Sequence, residues 1–357
     1  MAAFFKMIIA FMMSFLQFMG PINNFVDLGG EASYFTKWSR NDQFTQECYV
    51  ELEKNPDEDF VILNLADVQL NDDEVFADMG IRSNNMIAQL IEEQQPDLIT
   101  LTGDNAWGTV AYMELINYID SFGIPWAPVM GNHDGQGCVS EFWAAELFTQ
   151  AENCLFQFGP EDMGYGNYII NITENGNIIH TLFMMDTHAN RDYTLEDGTV
   201  LEGEYDHLWP LQFVWYKWAV NGITEIAGKT VESTVFMHIP AYEYKLAWEA
   251  AWDEENQCYK PEYADSAFGV NREVCCPAPV NNGFFDICKE LGSTKNMVAG
   301  HDHVNSASIV YEGIRLTYGL KLGEGCYFND DMVGGTTLSI NSQGNVTTEH
   351  HYVDLGI

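Results

Sequence analysis

Apolar positions recur along this chain in two alternating patterns. A run at 60–65, broken only by Asn64, reads as a buried strand, and Met86, Ile87, Leu90 and Ile91 then return at helical spacing. Pro96-Asp97 stops that helix before a second apolar run at 98–102. The unit repeats, with a helix expected over 110–122, a strand over 125–130 and a helix over 141–148. Short buried strands alternating with amphipathic helices predict βαβ units and a parallel sheet. From 168 onward the pattern changes. Runs at 168–172 and 178–185 flank Asn175-Gly176, runs at 308–310 and 314–318 flank Glu312-Gly313, and 336–340 leads through another glycine-containing turn to a strand from Val346. These are hairpin signals, so antiparallel pairing is expected there. No low-complexity linker and no internal repeat separates the halves, and one α/β domain over 25–357 containing two sheets is the economical reading.

The N-terminus carries Lys6 and then an apolar run over 7–19, interrupted by Ser14 and Gln17. A membrane span needs about 20 apolar residues and a signal h-region about 7–15, so residues 1–24 are expected to be a signal peptide or, uncleaved, an anchor. Eight cysteines (Cys48, Cys138, Cys154, Cys258, Cys275, Cys276, Cys288 and Cys326), with no CxxC pair, read as disulfide partners, not zinc ligands. Sequons at Asn171 and Asn345 fit the same picture of a secreted or lumenal glycoprotein.

Composition narrows the chemistry. An apolar fraction of 46% and an aromatic fraction of 13% suffice for a large core, whereas 53 acidic against 15 basic residues leave a formal charge of −38. Such a chain repels nucleic acid and anionic membranes at long range, so neither is an expected partner unless the N-terminal segment is retained as an anchor. Any site for a phosphorylated substrate, small molecule or phosphoprotein, must then import positive charge, and bound metal ions are the natural source.

Five apolar runs each end on a metal-capable side chain: at Asp67, at Gly103-Asp104, at Gly131-Asn132-His133-Asp134, at His238, and at Gly300-His301-Asp302-His303. Singly, Asp67 or Asp104 would cap a helix, Asn132 would sit in a turn and His238 would pack in a core. In an open α/β sheet, however, side chains just past the carboxyl ends of strands converge on one crevice. Carboxylates and imidazoles together suit zinc, iron or manganese, and two such ions about 3.5–4 Å apart can clamp a phosphate and acidify a water. Asp186 and His188, which follow another long apolar strand, are weaker candidates for a supporting or substrate-facing role, as is Asp134 for orienting His133. His180 reads as packed, and the aromatics around 213–218 as a helix-packing face.

The ordered series resembles the calcineurin-like metallophosphoesterase superfamily over about residues 58–330. The stretch from Gly300-His301-Asp302-His303 through 311–316 to Gly325 is similar to the branch grouped with purple-acid-phosphatase-like proteins of plants and fungi. The resemblance implies two mixed β-sheets packed as a sandwich, flanked by helices, with two divalent or trivalent metal ions at one edge. It assigns Asp67, Asp104 and His303 to the first metal. Asp104 as bridge, with Asn132, His238 and His301, goes to the second, and His133 assists the leaving group. Two positions depart from the pattern. The usual histidine of the first motif is Gln69, so an amide or a water takes that ligand position, and the tyrosine that binds ferric iron in the purple enzymes is Trp107. Phosphomonoester hydrolysis is the leading expectation. A phosphodiesterase or pyrophosphatase using the same core is the alternative among enzymes, and a non-catalytic phosphate- or metal-binding protein the alternative outside them.

Overall fold

A computed structural model describes residues 31–136 and 138–355. The expected leader over 1–24 lies outside the described residues. The described residues from Lys37 onward form one compact unit, which holds both large sheets and all candidate site residues.

The first sheet has five strands in the order Val346–Tyr352, Gly334–Ile340, Phe60–Leu65, Leu98–Thr102, Trp126–Val129. Phe60–Leu65, Leu98–Thr102 and the edge strand Trp126–Val129 pair in parallel, and Gly334–Ile340 runs antiparallel to Phe60–Leu65. Near-continuous burial of the parallel strands matches their apolar runs, because helices cover such a sheet. The helix Asp78–Gln94 buries Met86, Ile87, Leu90 and Ile91 and ends at Gln95, which turns into the left-handed region ahead of Pro96.

The second sheet has seven strands in the order Val50–Glu53, Tyr168–Glu174, Asn177–Met184, Ser233–Phe236, Thr294–Ala299, Ile314–Tyr318, Ser308–Tyr311. The two expected hairpins are present, turning at Asn175-Gly176 and Glu312-Gly313 with positive φ at all four residues. The sheet as a whole is mixed, since Ser233–Phe236 pairs in parallel with both neighbours. Helices Pro210–Ala227 and Phe284–Leu291 bury Trp215, Tyr216, Phe284 and Phe285 in the large apolar cluster that covers it.

Hydrogen bonds tie the sheets together. Tyr168 donates to the Pro128 carbonyl at 2.7 Å, and the buried His180 bridges the Gly344 carbonyl and Thr234 at 2.8 and 2.9 Å. The third expected hairpin forms too, but the last two strands return to the first sheet instead of extending the second.

Two expectations are corrected here. All eight cysteines are free thiols. Cys275 and Cys288 pack within the apolar cluster, where burial pushes the Cys288 thiol up to about 12, so they serve as small apolar side chains. The sequon at Asn171 is also closed, because Asn171 is fully buried on a strand and accepts a hydrogen bond from Thr181 at 2.7 Å. A glycan there is incompatible with this fold, whereas Asn345 is exposed.

Candidate metal centre

The six donors that the sequence separates by up to 236 positions meet where the two sheets adjoin. Asp67, Asp104 and Asn132 follow the first-sheet strands Phe60–Leu65, Leu98–Thr102 and Trp126–Val129, and His238, His301 and His303 follow the second-sheet strands Ser233–Phe236 and Thr294–Ala299. Oxygen donors thus come from one sheet and nitrogen donors from the other. All six are buried. Close approach is built into the loops: a Cβ at Gly131 would lie 2.1 Å from the Asp104 nitrogen, and one at Gly103, where φ is +80°, would strike the His238 ring. Asp67, Gln69, Asp104 and His301 themselves sit at positive φ, a strained backbone of the kind that clusters at functional sites.

Ligand atoms of Asp67, Asp104 and His303 lie within 4.8 Å of one another. Beside them, His238 Nε2 and His301 Nδ1 stand 2.9 and 3.0 Å from Asn132 Oδ1, 3.3 Å from each other, and His238 Nε2 is 3.3 Å from Asp104 Oδ1. The outer nitrogen of each ring decides what these short distances mean. His238 Nδ1 donates to the Thr102 carbonyl at 2.8 Å, His303 Nδ1 donates to the Tyr327 carbonyl at 3.0 Å, and His301 is held by the backbone of Cys276. In a neutral ring the proton is therefore directed outward, and the inner nitrogen's lone pair faces the cluster. Neutral His238 and His301 then aim lone pairs at an amide oxygen and at each other, an arrangement that a bound cation, or a proton on His238, relieves. The donor set fits metal ions.

The electrostatics differ among the rings. Burial drives the Asp67 carboxyl upward, opposed by His238 and Lys321 and reinforced by Asp104, while at His238 burial is outweighed by Asp104 and Asp67, which raise it above the ordinary histidine value. Burial holds His301 and His303 well below the ordinary histidine range, which keeps them neutral, as ligation requires.

His133 stands beside this cluster and is only half buried. Its backbone N–H donates to Asp104 Oδ1 at 2.9 Å, and its ring stacks on Trp107 with centroids 5.3 Å apart. Gln136 uses its amide nitrogen on the Asn132 carbonyl, leaving Oε1 to accept from His133 Nδ1 at 2.9 Å. The ring is thereby fixed with Nε2 as the free position.

Residues 60–305 match the calcineurin-like phosphoesterase family, well over half of the chain. The chain belongs to that family. It is 28% identical over 264 residues to the Arabidopsis thaliana protein named probable inactive purple acid phosphatase 14, a match covering 67% of this chain and 61% of the relative. To phosphatase DCR2 of Saccharomyces cerevisiae it is 26% identical over 239 residues, 63% of this chain and 39% of the relative. The chain thus spans less than two thirds of the length of these relatives. Its fold is similar to that of a dimetal phosphatase from Danio rerio, with a TM-score of 0.52 at 13% identity over 83% of this chain and 98% of that one.

In this family member the supporting candidates fall in different places. Asp134 neither touches the His133 ring nor caps a helix. Its buried carboxylate accepts from the Asn105 and Gly131 backbone, the Asn105 amide and the Tyr112 hydroxyl, at 2.5–2.8 Å, and so staples the loop of Asp104 to that of Asn132. Asp186 and His188 brace a neighbouring loop: Asp186 accepts from Tyr165 and His188 backbone N–H groups, while His188 bonds Gln212 and stacks on Trp209. Gln69 reaches the first cluster, but its amide nitrogen donates to Asp104 Oδ2 at 2.8 Å and its oxygen accepts from Lys321. Lys321 was not singled out from sequence, although a lysine between Leu320 and Leu322 in a lysine-poor chain was a signal. Asp302, inside the His301-Asp302-His303 triplet, was likewise overlooked as a support. It accepts from the Cys276 N–H at 3.1 Å and the Tyr318 hydroxyl at 2.6 Å.

Proposed function

We propose that this phosphoesterase hydrolyses phosphate monoesters at a two-metal centre, with His133 delivering a proton to the leaving oxygen. The observation that carries the reading is the convergence of bare imidazole and carboxylate lone pairs, each imidazole oriented by an outer hydrogen bond to backbone. When bound, the ions would supply Lewis acidity and the positive charge that a phosphate needs at the site of an acidic chain. Asp67, Asp104 and His303 would hold one ion, and Asp104, Asn132, His238 and His301 the other.

The chain's own residues account for the remainder. Gln136 keeps the Nδ1 proton of His133 in place, so Nε2 is the atom that exchanges a proton with substrate. Trp107 limits the ring to one plane, and the Tyr205 ring lies edge-on to His301 at 4.3 Å, covering that imidazole. With the six donors buried and His133 half exposed, a phosphoryl group entering from solvent meets His133 on its way to the cluster. Turnover of a phosphomonoester panel and a phosphodiester panel, with manganese, zinc or iron added to chelator-stripped protein, tests the proposal. Faster turnover of monoesters supports it. Preference for diesters would replace it with the phosphodiesterase reading, and no turnover at full metal occupancy would end both.

A further inference from the structure

The first and second metal positions are built differently, and the difference centres on Lys321. Its side chain is 1% exposed, between the buried Leu320 and Leu322. Its Nζ donates to the Asp67 carbonyl at 2.7 Å and to Gln69 Oε1 at 3.0 Å. An ammonium group has only donors, so the end of the Gln69 amide that faces it must be the oxygen. The opposite end then faces Asp104 Oδ2, an acceptor, at 2.8 Å. Both contacts demand the same orientation of the amide. The sole acceptor of Gln69 is consequently spent away from the cluster, and an N–H donor points in.

Resting on the two-metal reading above, we infer that Lys321 is a built-in cation of the first metal position. It turns Gln69 from a ligand into a donor that positions Asp104, and it makes the first ion the weaker and more exchangeable of the two. Asp67 and Asp104 are both buried, at 1% and 2% exposure, and two such carboxylates need countercharge. Lys321 provides it before any ion binds, and repels the ion that arrives. Among the described residues no lysine or arginine bonds to the second position. There the ring nitrogens of His238 and His301 converge on Asn132 Oδ1 and on each other, within reach of one ion.

The test is a Mn2+ titration of the full chain after chelator stripping, followed calorimetrically and by the electron paramagnetic resonance of free Mn2+. Wild type is expected to fill in two steps of unequal affinity. Lys321→Met, kept in Mn2+ until stripping, should tighten the weaker step by about tenfold or more and leave the tighter step within about threefold. Its metal-free melting temperature should fall and its Mn2+-induced rise should exceed that of wild type, because the ion now supplies the missing countercharge. Gln69→Leu, which keeps the ammonium but removes the donor to Asp104, gives an independent answer: the weaker step should lose no more than the roughly 10–100-fold of a missing outer hydrogen-bond partner and both steps should remain. Equal steps in wild type, an unchanged or weaker first position in Lys321→Met, or disappearance of the weaker step in Gln69→Leu would each overturn the inference. Absence of the tight step in wild type would overturn the metal centre itself, and the inference with it.

Discussion

The two sheets meet along one seam, and they cross it in two ways. At the candidate centre the first sheet presents oxygen donors and the second presents imidazoles whose outer nitrogens are directed to backbone carbonyls, so the inner ring nitrogens are left for a cation between the sheets. At His180 the same two sheets are joined by one neutral imidazole, which bonds the Gly344 carbonyl on one side and Thr234 on the other and is saturated without any ion. The same residue type is an open valence in the first place and a finished joint in the second. What separates them is the partner of the second ring nitrogen: a hydroxyl at His180, but acceptors alone at His238 and His301.

Removing the ions should affect only the open part of the seam. Chelation is expected to abolish phosphoester hydrolysis while far-ultraviolet circular dichroism stays close to that of the untreated protein, since the apolar clusters and ladders do not pass through the site. Full activity in a sample verified to be metal-free would break the comparison outright. His133→Ala comes next. A loss of roughly 10²–10⁴ in kcat, the usual scale for general acid–base catalysis, is expected with metal content unchanged. Loss of metal in that variant would place His133 among the ligands instead.

The closed joint answers to pH. Burial holds His180 down to about 4, below its ordinary value of 6.5. The unfolded chain therefore binds the proton first as pH falls, and the stabilisation from neutral His180 is complete above about 6.5 and lost progressively toward about 4. Denaturant unfolding of wild type and His180→Gln at pH 7 and pH 4.5 should show wild type losing roughly 2–3 kcal/mol more than the variant over that interval. Equal losses would mean that His180 is not a neutral bridge. The smallest effect is expected at Asp302, which holds the Cys276 backbone that in turn orients His301. Asp302→Ala should weaken metal binding by roughly 10–100-fold, as loss of an outer hydrogen-bond partner does, with the fold intact. Metal affinity equal to wild type would confine Asp302 to a packing role.

Much of this was legible along the chain, for a physical reason. A buried parallel strand needs a continuous apolar run, and its carboxyl end is where the chain can first expose a polar group, so Asp67, Asp104, Asn132, His238 and His301 each announce themselves by following such a run. The hairpins at Asn175-Gly176 and Glu312-Gly313 were legible because positive φ at successive residues restricts what can occupy them. Less local features were not. The hairpin Asn190–Thr194 with Val200–Tyr205 is largely exposed, so it lacks the apolar alternation that marks a half-buried strand, yet it brings Tyr205 over His301. The sequon at Asn171 has the local pattern of an open site, and only the pairing of its strand buries it.

What the sequence by itself determined is the inventory of donors and the strand ends that carry them, because both depend on residues adjacent in the chain. Tertiary structure alone decided which sheet each strand joined, and hence that oxygen donors face imidazoles across a seam. It also decided that Lys321 lies against Gln69, 252 positions away, and that the amide turns its oxygen outward. Hydrogen-bond direction is set by the partner in space, and a glutamine read alone can present either end.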